Sequence, residues 1–187
     1  EKILNYIIKN IDSIIISFDV LPHIQNKQRP LSSGKGTYEI VNNTIKYLDS
    51  CKYPNYGIRT TVSSEHYGSI KEMAVNIFNN YKYLKQWHIE AIFNSGRAKN
   101  LDKIDGESFM ENYKEAAAYV VNNYPKKIIR NSMFDYRLTD NFCATTNGIN
   151  IWFDAYGDIV PCIEKQDKNI YRKGYIKNNT VYVDESN

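Results

Sequence analysis

Apolar residues along the chain fall into two rhythms that alternate. Ile14, Ile15 and Ile16 form a short unbroken run ending at Ser17 and Asp19, the pattern of a strand covered on both faces in a parallel sheet. Behind a polar loop, "NKQRPLSSGKG", Thr37 stands where it can cap a helix, and Tyr38, Val41, Ile45 and Leu48 recur on one face of it. That helix ends before Pro54. The β-branched stretch "YGIRTTVSS", 56–64, predicts a second strand, and Ser69 with Glu72 has the spacing of a capping box. The helix so opened buries Ile70, Met73, Ala74, Ile77, Phe78 and Tyr81. A third strand is expected in "QWHIEAIF", 86–93. The long loop "NSGRAKNLDKIDGE" then leads to a second capping-box pattern, Ser108 with Glu111, and to a helix whose core face is Phe109, Tyr113, Ala116, Ala117, Val120 and Val121.

Strand and helix thus alternate three times, which predicts an α/β fold with a parallel sheet and right-handed crossovers. Ligands of such folds sit beyond the carboxyl ends of the strands. After Pro125 the rhythm changes. "INIWFDAYGDIVPC" reads as a β-hairpin turning at 155–158, where Gly157 supplies a positive φ. Two domains are therefore expected, 1–125 and a small β module at 126–187. The chain opens without Met in what reads as the end of a helix and stops just after a strand-like stretch, so a piece of a longer protein is expected.

A length of 187 residues with 42% hydrophobic content supports a real core. The 24 Lys and Arg are scattered among 21 Asp and Glu, so no basic stripe points to nucleic acid as a partner. No apolar run nears the roughly 20 residues that span a bilayer, and the first residues lack the basic segment and cleavage site of an export signal. No membrane association and a cytoplasmic location are expected. Three cysteines, Cys51, Cys143 and Cys162, are an odd number for a disulfide framework, which leaves metal ligation or burial.

Cys143 and Cys162 bracket the hairpin as C-x13-G-x4-C, and a hairpin would bring the two thiols together. Zinc and iron-sulfur clusters usually take four protein ligands, so a second pair would come from elsewhere; equally, both are small hydrophobes suited to burial. Cys51 reads as structural. Glu90 stands in an apolar strand and needs a partner or a polar surface to face. Arg59 offers a planar fork for a carboxylate or a surface ion pair, and Arg97 an anion contact or a solvated loop. His23, His66 and His88 have no ligand spacing and read as ordinary. Trp152, Phe153 and Tyr156 read first as the core of the small module and second as a platform for a peptide.

Several stretches in order resemble the radical S-adenosylmethionine enzymes that carry a SPASM-type auxiliary-cluster domain, of the anaerobic sulfatase-maturase and peptide-modifying kind. "IISFDVLPHIQNKQRP" is similar to that family's fourth barrel strand and loop, with Ser17, Asp19 and Arg29 keeping a Ser-x-Asp spacing and an Arg twelve residues after the Ser. "GKGTYEIVNNTIKYL" resembles the next helix, "GIRTTVSS" the fifth strand, and "IEAIFNSGRAKN" the sixth strand with its Gly-Arg-Ala loop. The C-x13-G-x4-C segment resembles the opening of the SPASM pattern, and "YRKGYI", 171–176, a stretch that follows it. The family's Gly after the strand-end Asp is Val20 here, its nearby His is Gln25, and its Asn after Gly174 is Tyr175.

The resemblance implies a partial TIM-like barrel of about three βα units at 1–125 and the start of an auxiliary-cluster domain at 126–187. It implies cofactor contacts from Ser17, Asp19, Arg29, Arg59 and Glu90, with Ser17 towards a ribose, and cluster ligation by Cys143 and Cys162. It further implies [4Fe-4S] clusters and S-adenosylmethionine in a full-length parent, a flavodoxin or ferredoxin as electron donor, and hydrogen-atom abstraction from a peptide or protein substrate. The C-x3-C-x2-C loop of the family is absent from this sequence. Without those thiolates the chain by itself is expected to be inactive and to bind no cofactor. An open half-barrel exposes sheet edges, so self-association is expected. Two other classes compete: a metal-dependent isomerase or hydrolase using Asp19, Glu90 and a histidine, and a non-catalytic module whose hairpin grips a peptide.

Overall fold

A computed structural model describes residues 2–92, 105–134, 152–154, 156–161 and 172–184. The chain divides into two compact units, residues 1–135 and 136–187.

In the first unit a helix, α1 (Lys2–Asn10), precedes β1 (Ile14–Ser17), α2 (Pro22–Gln28), α3 (Tyr38–Ser50), β2 (Tyr56–Val62), α4 (Ile70–Asn80), β3 (Gln86–Ala91), α5 (Gly106–Asn123) and β4 (Ile128–Arg130). The strands form one parallel sheet in the order β1-β2-β3-β4. This is the expected α/β alternation with one strand more than the pattern predicts. Ile128 to Arg130 is too short a run to signal a strand, yet it pairs with Gln86 to His88 in the first unit.

One face of the sheet is covered by helices and is apolar. Ile58, Val62, Trp87 and Ile89 meet Ile45 and Leu48 of α3, Ile70, Met73, Ala74 and Ile77 of α4, and Phe109, Ala116 and Val120 of α5, all at most 1% exposed. Thr60 is the polar exception inside this layer. Its hydroxyl donates to the Phe18 carbonyl (2.7 Å) and accepts from Trp87 Nε1 (2.8 Å), tying β3, β2 and the end of β1 together. Both donors are thereby satisfied in a setting where an orphan would be costly.

The opposite face carries polar and part-exposed side chains, with Arg29 reaching Thr61 and Ser132 reaching Glu90 on it. Ile15 is 53% exposed on it, which corrects the expectation that β1 is buried on both sides. The three-isoleucine run contains one residue that faces out, because side chains alternate along a strand whatever their chemistry. Val121 is likewise exposed on α5.

The helix caps also differ from the sequence signals. Ser69 and Thr37 hold the cap positions of α4 and α3 but make no side-chain cap hydrogen bond. The cap of α5 is Asp105, whose carboxylate accepts from the Glu107 and Ser108 amides and the Ser108 hydroxyl, so Ser108 lies inside the first turn rather than before it. A capping box forms where none is expected, at Ser63 and His66 around the short turn after β2.

The second unit contains an antiparallel sheet in the order β5-β6-β7-β8, made of Trp152–Phe153, Asp158–Val160, Gly174–Lys177 and Thr180–Val183. The first hairpin is the expected one. Gly157 takes φ +85°, and the Asp154 carboxylate accepts from the Tyr156 and Asp158 amides. The second hairpin turns through Asn178 and Asn179 with φ of 50° and 58°, the backbone that two-residue turns favour. Trp152, Phe153 and Tyr156 are 43%, 58% and 84% exposed. These aromatics are therefore not the core of the module, which corrects the first reading of them; among its described residues Ile159, Val160 and Gly174 are the buried ones. Among the described residues no helix is long and apolar enough to cross a membrane.

Candidate functional site

The carboxyl end of β1 is where sequence and structure concentrate their peculiarities. After Phe18, the backbone turns at Val20 with φ +63°, and the Leu21 amide donates to the Asp19 carbonyl (2.7 Å). This is a γ-turn of the rare, strained hand, and a β-branched residue is the least suited to it. Val20 is nevertheless 4% exposed.

Asp19 is fully buried and holds this corner. Its carboxylate accepts from Arg29 Nε (2.8 Å), from the second guanidinium nitrogen (3.4 Å) and from the Thr61 amide (3.3 Å). Its own amide donates to Gln25 Oε1 (2.7 Å), and Gln25 Nε2 donates onward to the Thr37 hydroxyl (3.0 Å), which donates to the Arg29 carbonyl (2.6 Å). The loop between β1 and α3, including α2, is thus closed on the strand end by a ring of side chains. Arg29 keeps about a third of its side chain exposed, so the pair is half wet and half dry. Asp19 and Arg29 act as positioning residues here, with Asp19 having no surface to offer a ligand.

His66 adds a buried neighbour. Its Nδ1 accepts from the Ser63 amide (3.0 Å), while its Nε2 has no partner. Burial holds this imidazole below its ordinary pKa, partly offset by the carboxylate and backbone of Asp19.

Ser17 lies two residues before Asp19, on the sheet face opposite the helices, in register with Arg59. It is exposed, and its hydroxyl makes no hydrogen bond among the described residues. In register beside it stand Arg59 of β2, His88 of β3 and Arg130 of β4. Thr61 and Glu90 occupy the next positions on the same face, two residues along β2 and β3. The row is polar from one edge of the sheet to the other, on a side whose helix-facing counterpart is apolar.

Within this row, Glu90 is the anchored group. It accepts from the Ser132 amide (3.0 Å) and hydroxyl (2.9 Å), and its Oε1 lies 2.5 Å from His88 Nε2. Burial pushes its carboxyl up, but the hydrogen bonds from Ser132 and His88 outweigh that and hold it below the ordinary carboxylate value. The partner that Glu90 requires is therefore found, and it includes a histidine that reads as ordinary in the sequence. The signal for it is the i, i+2 spacing, which puts His88 and Glu90 on one face of a strand. Arg59 is exposed, and its guanidinium makes neither hydrogen bond nor ion pair among the described residues.

Cys143, Cys162 and Arg97 lie outside the described residues. Cys51 is free and exposed. Among the described residues no group of three His, Cys, Asp or Glu side chains could hold a metal ion. No family model matches the chain, and no curated protein is similar to it. The chain is an α/β protein with a parallel four-strand sheet and a separate antiparallel sheet.

Proposed function

We propose that the chain is part of a radical S-adenosylmethionine enzyme, comprising the later strands of its barrel sheet and the opening of a SPASM-type auxiliary domain. In this reading the full-length protein abstracts a hydrogen atom from a peptide or protein substrate, and the reducing cluster is held by a segment outside this chain.

The observation that carries the reading is the end of β1. Position 20, where the resemblance expects glycine, takes a φ of +63°, the conformation for which glycine is suited. Asp19 and Arg29, at the family's spacing, meet in an ion pair, and Gln25, at the position of the family's histidine, binds the Asp19 amide. The substitutions at 20 and 25 thus stand in a backbone and a hydrogen-bond frame of the kind the motif would need.

The residues present fit the cofactor where they can be tested. The Ser17 hydroxyl is exposed at the strand end with its donor and acceptor capacity unused, which suits a ribose hydroxyl. Asp19 and Arg29 keep that strand end from fraying. Arg59 and Glu90 would line the same face beyond Ser17. When bound, S-adenosylmethionine would supply the hydrogen-abstracting chemistry; Cys143 and Cys162 would contribute two ligands to an auxiliary [4Fe-4S] cluster. Trp152 and Phe153, exposed in the second unit, would meet a peptide.

A metal-dependent hydrolase or isomerase finds less support, because the two carboxylates it would use are already committed, Asp19 to Arg29 and Glu90 to Ser132 and His88. The test is Ser17→Ala in the full-length protein. Weaker S-adenosylmethionine binding with an unchanged far-ultraviolet spectrum supports the proposal; binding equal to the parent protein, or no binding by the parent, contradicts it.

A further inference from the structure

We infer that Arg59 and His88 form a carboxylate-binding site on the polar face of the parallel sheet, with Glu90 and Ser132 fixing the imidazole. The site lies on the face assigned above to the cofactor, but the inference rests on the charges and register of that face and not on the class of enzyme.

Arg59 and His88 are register partners on neighbouring parallel strands, whose backbones lie about 4.8 Å apart. Their side chains leave the sheet on the same side, so both can reach one ligand placed over that face. Most of the other groups on the row are already occupied. Glu90 spends its oxygens on Ser132 and His88, so it does not neutralise Arg59. Arg130, on the far side of His88, is engaged in an interaction of its own. Ser17, on the far side of Arg59, offers a hydroxyl.

The imidazole is held by Nε2, which leaves Nδ1 with no bond among the described residues. With both nitrogens protonated, the ring would donate to Glu90 through one and to an incoming oxyanion through the other. Charge then balances for a singly charged ligand: Arg59 and the imidazolium contribute two positive charges, and Glu90 removes one. A planar two-oxygen anion matches the guanidinium fork, which is a reason to name a carboxylate. The groups facing that imidazole are Glu90 from its own strand, Arg59 from β2 and Arg130 from β4. The carboxylate belongs either to an acidic peptide side chain or to the amino-acid end of a small cofactor.

The experiment is nuclear magnetic resonance of the chain with 15N-labelled histidine, titrated with sodium acetate against sodium chloride at equal ionic strength. His88 signals are identified with His88→Gln. The expected result is a saturable acetate shift at His88 that is several-fold weaker in Arg59→Lys and disappears in Arg59→Gln. Arg59 is exposed, so both variants should fold; their amide spectra check it. A shift that chloride reproduces, one that survives in Arg59→Gln, or no shift at all overturns the inference. Displacement of acetate by S-adenosylmethionine identifies the cofactor as the source, and displacement by an N-acetylated, amidated glutamate identifies an acidic side chain. A full-length protein that lacks clusters would contradict the proposed enzyme class while leaving this titration unaffected.

Discussion

Val20 offers a direct measure of backbone strain, because two truncations there should rank in an unusual order. At an ordinary buried strand position, going from Ala to Gly removes a methyl group, worth about 0.8 kcal/mol, and frees the unfolded chain, worth a further ~0.7 kcal/mol. The step costs about 1.5 kcal/mol there. Val62, fully buried in β2 with no positive φ, is such a position. At Val20 the φ of +63° penalises any side chain, Ala included, by on the order of 2 kcal/mol, and Gly escapes the penalty. The Ala-to-Gly step at 20 should therefore cost nothing, or favour Gly by about 0.5 kcal/mol. Both Val→Ala changes should themselves destabilise by about 2 kcal/mol, since each removes buried methyls. Urea unfolding of Val20→Ala, Val20→Gly, Val62→Ala and Val62→Gly, followed by far-ultraviolet circular dichroism, gives both steps. If the two Ala-to-Gly steps cost the same, the strain assigned to the β1 corner is absent.

Three further outcomes follow from the same unit. Arg29→Ala strands the buried Asp19 carboxylate and should cost about 3 kcal/mol, whereas Lys27→Ala, which removes an exposed pair with Glu65, should cost less than about 0.5 kcal/mol by the same urea assay. Thr60→Val leaves the Trp87 indole N–H without its acceptor and should destabilise by about 1–3 kcal/mol, with altered Trp fluorescence as a second readout. Burial lowers the His66 pKa in the folded chain, so the unfolded chain binds the proton first as pH falls. Below about pH 6.5 stability should drop by up to ~1.4 kcal/mol per unit until the folded-state pKa is reached. In a pH series of urea melts, His66→Asn should flatten that slope; an unchanged slope would refute the assignment.

Much of the first unit is legible in the sequence because helix-facing positions carry their own signature. Ile45, Leu48, Met73, Ile77, Phe109 and Val120 recur at helical spacing, and all of them are buried. The second face of the sheet is not legible in the same way. Ile15 looks like a core residue and is exposed, since an isoleucine run does not say which of its members faces out. Helix α2 is hidden behind polar residues such as Asn26, Lys27 and Gln28, and its formation depends on Gln25 and Arg29 closing back onto Asp19. Cap signals fail for a local reason: Ser108 is close enough to a cap to look like one, but Asp105, three residues earlier, reaches the free amides first. Of the candidate site, Ser17, Asp19, Arg29, Arg59 and Glu90 all lie on or beside the polar face and its β1 corner. The pairing of His88 with Glu90 requires knowing that 86–91 is a strand, after which their spacing places them together.

The most direct test of the proposed enzyme class is the iron and acid-labile sulfide content of the full-length protein after anaerobic reconstitution, compared with its Cys143→Ala/Cys162→Ala variant. The account predicts iron and sulfide in equal amounts with a broad charge-transfer band, and a partial loss of both in the variant as an auxiliary cluster loses its ligands. A protein that takes up no iron and sulfide, and instead binds zinc or manganese stoichiometrically, would contradict it.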